Sequence, residues 1–550
     1  MLDNVQLDRI QDPEIRRIVQ QLANLLEKAL VEIDVLRAEN QRLKDENNRL
    51  KGEQGKPNIK PNKPEVPLQN RTDHSSEKQR KQPKPHGKST KNVTIVLDRT
   101  ERLSLDIRTL PPDAQFKGYE RVLVQNLILK TDNVAFERAK YYSPSTRKTY
   151  LAPLPKGYEG QFGPDLKALV LSLHHLGNVS QPALHSFLAH AGIKISTGTI
   201  NEFLTRKQEH FHKEKAEIGF SGLASSPWQQ TDDTATRVNG VNQHCHVLVN
   251  PLYTTYTTLE RKDRRSVLRV LQNGVPLTFI LTKDVLASEA VRLLPLKWQK
   301  VLSTFPIDTP QDETTVLDFL STQMPTLSPQ AKKSLLDKMA VAGYKAQTAV
   351  PIVRLLLCDD APQFPGLTED LGLCWIHDAR HYQKLQPHIS CFQATLQSFK
   401  SRYWDYYDRL LDYQKYPNLA ARQVLWKDFD MVFVPDTGYT DLDCRIQQSV
   451  ANKDELLQIL AHPEIPLHNN ASELAARRRV RKRDVSFGPR SAEGVASWDT
   501  FQTLAATAQK LGVSFLAYIA DRVSGRNVMP SLASLITERS ATMKLGASWA

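Results

Sequence analysis

Cysteine is scarce in this 550-residue sequence, and long hydrophobic runs are missing. The five cysteines are scattered and never form a CxxC pair, which argues against a disulfide framework and against a zinc site. No stretch approaches the roughly eighteen apolar residues of a membrane-spanning helix. The N-terminus also lacks the basic and then apolar pattern of a signal peptide. We therefore expect a cytoplasmic protein with no membrane partner.

Acidic residues are outnumbered: 60 Asp and Glu stand against 73 Lys and Arg, which gives a net charge of +13 and a pI near 9.3. A basic balance of this size favours a polyanionic partner such as nucleic acid or an anionic membrane, and the lack of apolar segments argues against the membrane. The length predicts about two to four domains with room for a substantial core.

Residues 14–51 carry a heptad repeat. Its core positions hold mostly aliphatic residues, namely Val19, Leu26, Ile33, Asn40 and Asn47 at a, and Leu22, Ala29, Leu36, Leu43 and Leu50 at d. Glutamates at g precede basic residues at the next e position, and asparagine at a favours a two-stranded parallel register. The pattern predicts a parallel homodimeric coiled coil. The alternative is a single amphipathic helix lying on the body of the protein.

Residues 52–92 are rich in Pro, Lys, Asn, Gln and Ser without periodicity, which predicts a disordered basic linker. This linker either tracks DNA or is a plain spacer. Residues 93–162 alternate in period two around 122–124, 127–129 and 134–136, which predicts a small β-rich module. Residues 163–220 are helical in pattern, and 180–188 with 196–206 form a helix-turn-helix-like pair capped by Ser196. Such a pair either contacts DNA or is a structural hairpin.

Residues 225–495 have an α/β pattern. Strands are predicted at 229–231, 244–250, 253–259 and 352–358, and the last is a continuous apolar run typical of a buried central strand. The segments at about 284–349 and 365–460 are mostly helical, and we interpret them as insertions into this core. Residues 496–550 are predicted to be C-terminal helices.

Acidic residues occupy three informative places. The Asp pairs 232–233 and 359–360 each follow a predicted strand, and Glu473 lies on a predicted helix just ahead of 477–483, where six of seven residues are Arg or Lys. Such carboxylates beside a basic helix are typical of a divalent-metal site that acts on a phosphate backbone. Mg²⁺ suits this site, because it takes few carboxylates together with water and phosphate oxygens. The simpler interpretations are turn formers, helix caps and an i+4 pair with Arg477.

The basic run predicts a helix that faces DNA. The expected phosphate contacts are its six cations and one arginine beyond the Gly488-Pro489 turn: Arg477, Arg478, Arg479, Arg481, Lys482, Arg483 and Arg490. His377 and His381 share one helix face, and without HExxH or nearby cysteines we favour a structural or DNA-contact role over a metal site. Asn469 and Asn470 are expected to cap the Glu473 helix or to orient its carboxylate.

Several segments together resemble the insertion-sequence-sixty-six (TnpC-type) family of DDE transposases. NNASELAARRRVRKRDVSFGPRSAEGVAS, from Asn469, resembles its NNxxERxxR signature, and QTDDT, from Gln230, resembles its first-aspartate motif. LCDDAPQF and LCWIHDARHYQKL resemble its second-aspartate strand and its CWxHxxR helix. FQTLAATAQKLGVSFLAYIADRV is similar to its closing helices. The order of the N-terminal segments is similar too, so the resemblance covers nearly the whole chain.

Carried over residue by residue, the resemblance implies that Asp232, Asp359 and Glu473 are the catalytic acids that bind Mg²⁺ (or Mn²⁺), with Asp233 and Asp360 as second choices. It implies a multidomain α+β protein. The parts are an N-terminal parallel coiled coil, a small β-rich module, helix-turn-helix-like helices, an RNase H-like α/β catalytic core with a large helical insertion, and C-terminal helices.

Three features depart from the family pattern. Residues 93–162 contain no cysteine where the family usually carries a zinc motif, so no zinc is expected. Leu474 replaces the arginine that normally follows the glutamate, which removes one phosphate contact. The 127-residue separation of Asp232 and Asp359 is longer than expected and implies the insertion near 284–349.

The sequence therefore predicts a dimeric bacterial transposase in the cytoplasm, associated with the nucleoid. It is expected to cleave and transfer DNA strands at insertion-sequence ends by two-metal phosphoryl transfer. Its expected partners are element and target DNA, a second copy of the chain and small accessory proteins of the same element. The alternatives are a catalytically silent, domesticated DNA-binding dimer that acts as a regulator, and a metal-dependent nuclease without joining activity.

Overall fold

The computed structural model describes residues 10–50, 95–106, 114–158 and 160–549. It is a mixed α/β protein with a five-stranded mixed sheet and many helices. Its described residues fall into two units: 10–50, 136–187 and 195–549 belong to the first, and 95–135 and 188–194 to the second. None of the described helices combines the length and the apolar character needed to cross a bilayer.

The first helix, α1 (Pro13–Leu50), covers most of the predicted heptad segment. The side chain of Asp12 caps it by accepting a hydrogen bond from the backbone N–H of Glu14 at 2.8 Å. Ala23 and Glu27 are buried against the rest of the first unit, whereas residues 35–44 are exposed. The predicted linker at 52–92 lies outside the described residues.

The predicted β-rich module is wrong in most of its extent. Among the described residues from 95 to 139, none belongs to a helix or a strand. The apolar side chains of Val122, Val124 and Leu127 are 75–86% exposed, because the alternation has no second layer to pack against. The strands found in the described part of 93–162 are those of a hairpin, β1 (Lys140–Ser143) and β2 (Lys148–Leu151).

The helices predicted before the sheet are present. They are α2 (Pro164–His175), α3 (Gln181–His190), α4 (Thr197–Thr205) and α5 (Glu209–Ala224). Ser196 caps α4 as predicted, since its Oγ accepts a hydrogen bond from the backbone N–H of Thr199 at 3.1 Å.

The sheet has the strand order β5-β4-β3-β6-β7. Its strands are β3 (Trp228–Val238), β4 (Val241–Val249), β5 (Thr254–Leu259), β6 (Leu355–Cys358) and β7 (Asp370–Leu373). β3, β4 and β5 form an antiparallel meander, and β6 and β7 run parallel to β3. Every residue of β6 is buried, as its apolar run predicts. The strand β7 was not among the predicted strands.

Two groups of helices connect the strands. Between β5 and β6 lie α6 (Arg264–Leu271), α7 (Lys283–Ala287), α8 (Glu289–Arg292), α9 (Leu296–Leu302), α10 (Glu313–Gln323) and α11 (Pro329–Ala346). After β7 come α12 (Trp375–Lys384), α13 (Ser390–Lys415), α14 (Leu419–Val432), α15 (Thr440–Ala451), α16 (Lys453–Leu456) and α17 (Gln458–Ala461). Both predicted insertions are therefore helical, apart from β7 at the start of the second.

The last helices are α18 (Asn470–Ser486), α19 (Ala492–Lys510), α20 (Phe515–Val523) and α21 (Leu532–Met543), followed by a short 3₁₀ turn. Helices cover both faces of the sheet. Leu248 belongs to the large cluster that includes the inserted helices, whereas Cys245 and Val247 pack with Ala475 of α18 and Ala506 of α19. Alternate residues of β4 thus contribute to different cores, as the period of a strand requires.

Candidate active site

The strand register brings the first two acids together. Gln230 of β3 pairs with Leu357 of β6 in a parallel ladder. Asp232 and Asp359 each follow this pair by two residues, so continuation of the register would place them opposite each other, with their side chains on the same face of the sheet and their backbones about 4.8 Å apart. Asp359 lies one residue beyond the end of β6, at the carboxyl edge where α/β sheets present their sites.

The third acid reaches the same place from α18. Ser472 donates a hydrogen bond from its Oγ to the backbone carbonyl of Thr231 at 3.2 Å, which holds the first turn of α18 against β3. Glu473 directly follows Ser472, and Asp232 directly follows Thr231, so the bond brings these two acids near each other. The three acids are also close enough to interact electrostatically, because the negative charges of Asp359 and Glu473 both raise the pKa of Asp232.

Two arginines hold the carboxylate of Glu473. Arg380 of α12 places its two terminal nitrogens 3.1 Å from Oε1 and 3.2 Å from Oε2, and Arg477 contacts Oε2 at 3.2 Å. The Nε2 atom of His377 lies 3.5 Å from Oε1. Because the side chain of Glu473 is only 9% exposed, these cations offset most of the cost of burying its charge.

The second members of the Asp pairs have their own partners. Asp360 faces the Nε2 atom of His381 at 3.1 Å, and Asp233 accepts a hydrogen bond from Gln363 at 3.4 Å, with the Nζ of Lys262 at 3.9 Å. Cationic and amide side chains therefore lie beside the second member of each Asp pair, at the edge of the acid cluster formed by Asp232, Asp359 and Glu473.

Burial gives the first two acids unusual protonation equilibria. Loss of hydration, reinforced by Asp359, Asp233 and Glu473, raises the pKa of Asp232 to about 7, although the backbone N–H of Asp233 partly opposes this. Loss of hydration also raises the pKa of Asp359. A buried carboxyl group among other carboxylates holds its proton until a cation compensates the charge.

The residues present fit a hard divalent cation. The three acids offer only oxygen donors from three elements, the type of ligand that Mg²⁺ prefers. Both side-chain amide atoms of Asn469, one helical turn before Glu473, are buried without a hydrogen-bond partner among the described residues. In their present positions, no group of three His, Cys, Asp or Glu within the described ranges is gathered closely enough to hold a metal ion. Glu473 faces Arg380 and Arg477 instead.

One detail of the prediction for Asp232 is wrong. This residue lies in the middle of β3 and not at its end, because β4 continues to pair with the polar half of the strand as far as Val238. Asn469 precedes α18, but its side chain makes no capping hydrogen bond. The simpler expectation for Glu473, an i+4 pair with Arg477, is present together with the contact to Arg380.

The basic run is divided between the core and the surface. Arg479 and Lys482 are buried, so the prediction that they contact DNA is wrong. Arg479 pairs with Asp499 and donates a hydrogen bond to the Sγ of Cys245 at 3.2 Å. Lys482 donates to the carbonyl oxygen of His174 at 2.6 Å, and burial lowers its pKa to about 7.

The remaining cations of the run differ in how accessible they are. Arg477, Arg481 and Arg490 are exposed. Arg478 is partly buried and donates to Gln509, and Arg483 is partly exposed and donates to the carbonyl oxygen of Ala235. The helical period explains the division, since a run of seven residues occupies all sides of a helix and one side must pack.

Arg380 was not among the predicted site residues, although it contacts Glu473 more closely than either histidine of α12. It occupies the arginine position of the segment LCWIHDARHYQKL, so the signal was present in the sequence. The spacing to His377 places both side chains on the same face of α12. They also contact each other, because Arg380 donates to the Nε2 of His377 at 2.9 Å.

Comparison with known proteins identifies a relative but no activity. The chain is 28% identical over 328 residues to "Uncharacterized protein y4jO" of Sinorhizobium fredii (strain NBRC 101917 / NGR234), an alignment that covers 58% of this chain and 99% of that protein. No family model matches the chain. No solved structure matches it either.

Proposed function

We propose that this chain is a DDE-type DNA transposase that cleaves and joins strands at insertion-sequence ends with the help of Mg²⁺. The observation that carries the proposal is the convergence of Asp232, Asp359 and Glu473, two through the strand register and one through the bond between Ser472 and Thr231. The sheet order β5-β4-β3-β6-β7, with β4 antiparallel to its neighbours, supports an RNase H-like core.

The three acids would hold Mg²⁺ or Mn²⁺, which activates an attacking hydroxyl group and stabilises the leaving oxygen in phosphoryl transfer. Arg380 and Arg477 neutralise Glu473 when no cation is bound. Their guanidinium groups also have the planar donor geometry that binds phosphate oxygens. We infer that DNA binding replaces part of their contact with Glu473 by contact with the backbone phosphates.

The accessible arginines extend this surface away from the acids. Arg477 and Arg481 follow Glu473 on α18 at spacings of four residues, so they lie along the same side of the helix. Arg490 is exposed beyond the end of the helix. A row of cations that leads away from the acid cluster suits a phosphate backbone, whose binding is dominated by neutralisation of its charges.

A homodimer through α1 is also part of the proposal. The contacts of α1 with the body involve heptad positions b, e and f. The carboxylate of Glu27 accepts hydrogen bonds from the backbone N–H groups of His388 at 2.7 Å and Ile389 at 3.1 Å, and Asn24 donates to the carbonyl of Gly438 at 2.9 Å. The helix therefore does lie on the body, but through its outer face.

The a and d side chains of α1 remain available. Leu22, Leu36 and Leu43 at d are 55–59% exposed. Glutamates at g and basic residues at e flank this apolar stripe with complementary charge, which favours a second parallel copy of the same helix. Because Glu27 also binds the backbone at the start of α13, the dimer seam and the catalytic unit would be joined by one helix.

The deciding experiment is strand nicking and joining on labelled DNA that carries the sequences flanking the reading frame, in Mg²⁺ or Mn²⁺. Asp232→Asn and Glu473→Gln should abolish both reactions and preserve DNA binding. Asp405→Asn and Glu538→Gln, which change exposed acids on α13 and α21, serve as matched controls and should remain active.

Each alternative function has its own outcome in this assay. Cleavage without joining in the wild type would favour the nuclease. DNA binding with no cleavage by any of the proteins, in either metal, would favour the catalytically silent regulator.

The dimer is tested by the mass of the full chain in solution. Leu36→Glu with Leu43→Glu should convert a dimer into a monomer, because two charges would enter the apolar seam. Val31→Glu, at an exposed f position of the same helix, is the control and should remain dimeric. A wild-type monomer would remove this part of the proposal and leave the active site untouched.

A further inference from the structure

Phe487 is the most exposed aromatic side chain near the basic surface. It follows the last residue of α18 and is 87% exposed. Its backbone adopts a left-handed conformation with φ +58°, which is strained for an aromatic residue and is normally left to glycine or asparagine. A bulky apolar side chain in a strained conformation, directed away from any core, indicates a role outside packing.

Backbone hydrogen bonds and a close approach to β3 position the segment that carries Phe487. The backbone N–H of Phe487 donates to the carbonyl of Arg483 at 2.7 Å, and the backbone N–H of Asn239 donates to the carbonyl of Pro489 at 3.1 Å. A Cβ atom on Gly488 would lie 2.4 Å from the backbone oxygen of Arg237, so only glycine permits this approach to β3. The hairpin between β3 and β4 therefore fixes the residues on the C-terminal side of Phe487.

Exposed cations outnumber exposed acids in the segments next to Phe487. Arg481 and Arg490 are exposed on either side of it in the sequence, and Arg237 is exposed on the adjoining hairpin. Two acids are exposed in the same segments, Asp484, which lies 3.7 Å from the Nε of Arg483, and Glu493. The excess of cations favours a polyanion at this surface.

We propose that Phe487 is a nucleic-acid contact that stacks on an unpaired base while the surrounding arginines hold the adjoining phosphates. This inference rests on the proposed DNA-processing function and adds a specific contact to it. Aromatic rings bind the faces of unstacked bases without regard to sequence, and they do so most effectively beside a basic groove that follows the backbone.

The position of Phe487 relative to the acids suits this role. Phe487 lies fourteen positions after Glu473, which corresponds to about 21 Å along the helix axis at about 1.5 Å per residue. At about 3.4 Å per base step this distance spans about six nucleotides. The ring would thus hold a strand at a distance from the acid cluster, with the side of α18 that carries Arg477 and Arg481 between the two points.

The test measures equilibrium binding of the full chain to a fluorescein-labelled 30-nucleotide thymidine strand and to a 30-base-pair duplex over a range of salt concentrations. Phe487→Ala should weaken binding to the single strand by about 5- to 150-fold, the usual effect of losing one stacked base. The slope of affinity against salt should not change, because no phosphate contact is lost. Phe487→Trp should bind as well as the wild type.

Two further variants separate stacking from charge and from folding. Arg481→Gln should reduce the salt slope for the single strand by about 0.7, as expected for one lost phosphate contact. Phe487→Gly relieves the left-handed strain, so it should unfold at a higher urea concentration than the wild type and still bind the single strand weakly. Weak binding by a more stable protein cannot result from a folding defect.

The outcomes distinguish failure of the stacking proposal from failure of the proposed function. If the wild type binds and Phe487→Ala binds within twofold of it, the stacking proposal is overturned and the proposed function stands. If Phe487→Ala changes the salt slope as Arg481→Gln does, the contribution of the ring is electrostatic and stacking is again overturned. If the wild type binds neither probe at low salt, both the stacking and the proposed function fail.

Discussion

Replacement of Asp232 by asparagine should stabilise the protein in the absence of a divalent cation. Burial and the neighbouring acids raise the pKa of this carboxyl group from 3.8 to about 7 in the folded state. The folded chain therefore holds the proton more tightly than the unfolded chain. Stability is highest below the unfolded pKa and is lost as the pH rises through the range between the two values.

The size of the effect follows from this pKa difference. At about 1.4 kcal/mol per pKa unit, ionised Asp232 destabilises the metal-free fold by about 4 kcal/mol above pH 7, and about 3 kcal/mol of this develops between pH 5 and pH 8. Asparagine has nearly the same shape and no charge, so it avoids this cost at every pH. Other titrating groups near the site are present in both proteins, so they largely cancel when the two are compared.

The assay is equilibrium unfolding in urea with EDTA at pH 5 and pH 8, followed by tryptophan fluorescence, since Trp228 and Trp375 are fully buried in the core. Asp232→Asn should exceed the wild type in stability at pH 8, and this difference should be smaller at pH 5. Asp405→Asn is the control, because it removes an exposed carboxylate and should not alter the pH dependence.

Addition of Mg²⁺ should narrow the stability difference between the variant and the wild type. A ligand that binds only the folded state stabilises it by about 2.7 kcal/mol when its concentration is one hundred times Kd. The wild type should gain this stability, and Asp232→Asn should gain much less, because one ligand is missing. The reasoning is refuted if the variant is less stable than the wild type at pH 8 in EDTA, or if the difference between them is the same at both pH values.

Two further predictions concern the arginines. Arg380→Gln should lower the stability of the metal-free protein by about 1–3 kcal/mol, because it leaves the buried carboxylate of Glu473 with fewer partners. Mg²⁺ should restore part of this loss. An equal loss with and without Mg²⁺ in urea unfolding would contradict the prediction. Arg479→Gln should cost about 3–5 kcal/mol, because it leaves the buried carboxylate of Asp499 without its ion-pair partner. Arg481→Gln, on the same helix but exposed, should change stability little and weaken DNA binding. Thermal unfolding together with binding titrations measures both effects.

Local sequence patterns predicted much of the fold. Ser196 was recognised as a helix cap from its position before a periodic segment, and the apolar run that ends at Cys358 was recognised as a buried strand. Both are local signals. The strand β7 was missed because its sequence, Asp370–Leu373, is short and contains a glycine, and its pairing with β6 is a long-range contact.

The predicted β-rich module failed for a related reason. The alternation around Val122 and Leu127 has the period of a strand, but a strand is stable only when a partner pairs with it and a second layer buries one face. Within their own unit these side chains remain exposed. Among the described residues of this region, the segments Lys140–Ser143 and Lys148–Leu151 satisfy the pairing requirement, because a short turn joins them.

The chemical types and order of the three acids were available from the sequence, but their environment was not. Strand order decides that Asp232 and Asp359 lie side by side, and only the packing of α12 brings Arg380 to Glu473. That contact joins residues separated by 93 positions. A local sequence pattern therefore could not predict that Arg380 contacts the carboxylate of Glu473.

The basic run on α18 shows why charge density alone misjudges a binding surface. Arg479 and Lys482 are three residues apart, and both face inward, where Arg479 pairs with Asp499 and Lys482 donates to a backbone carbonyl. These buried cations fix the orientation of the helix about its axis, and this orientation places Glu473 and Arg477 on the side of the acid cluster. The same run therefore has two roles: its inward members orient the helix, and its outward members, with Phe487 at the end, form the surface that we propose to bind DNA.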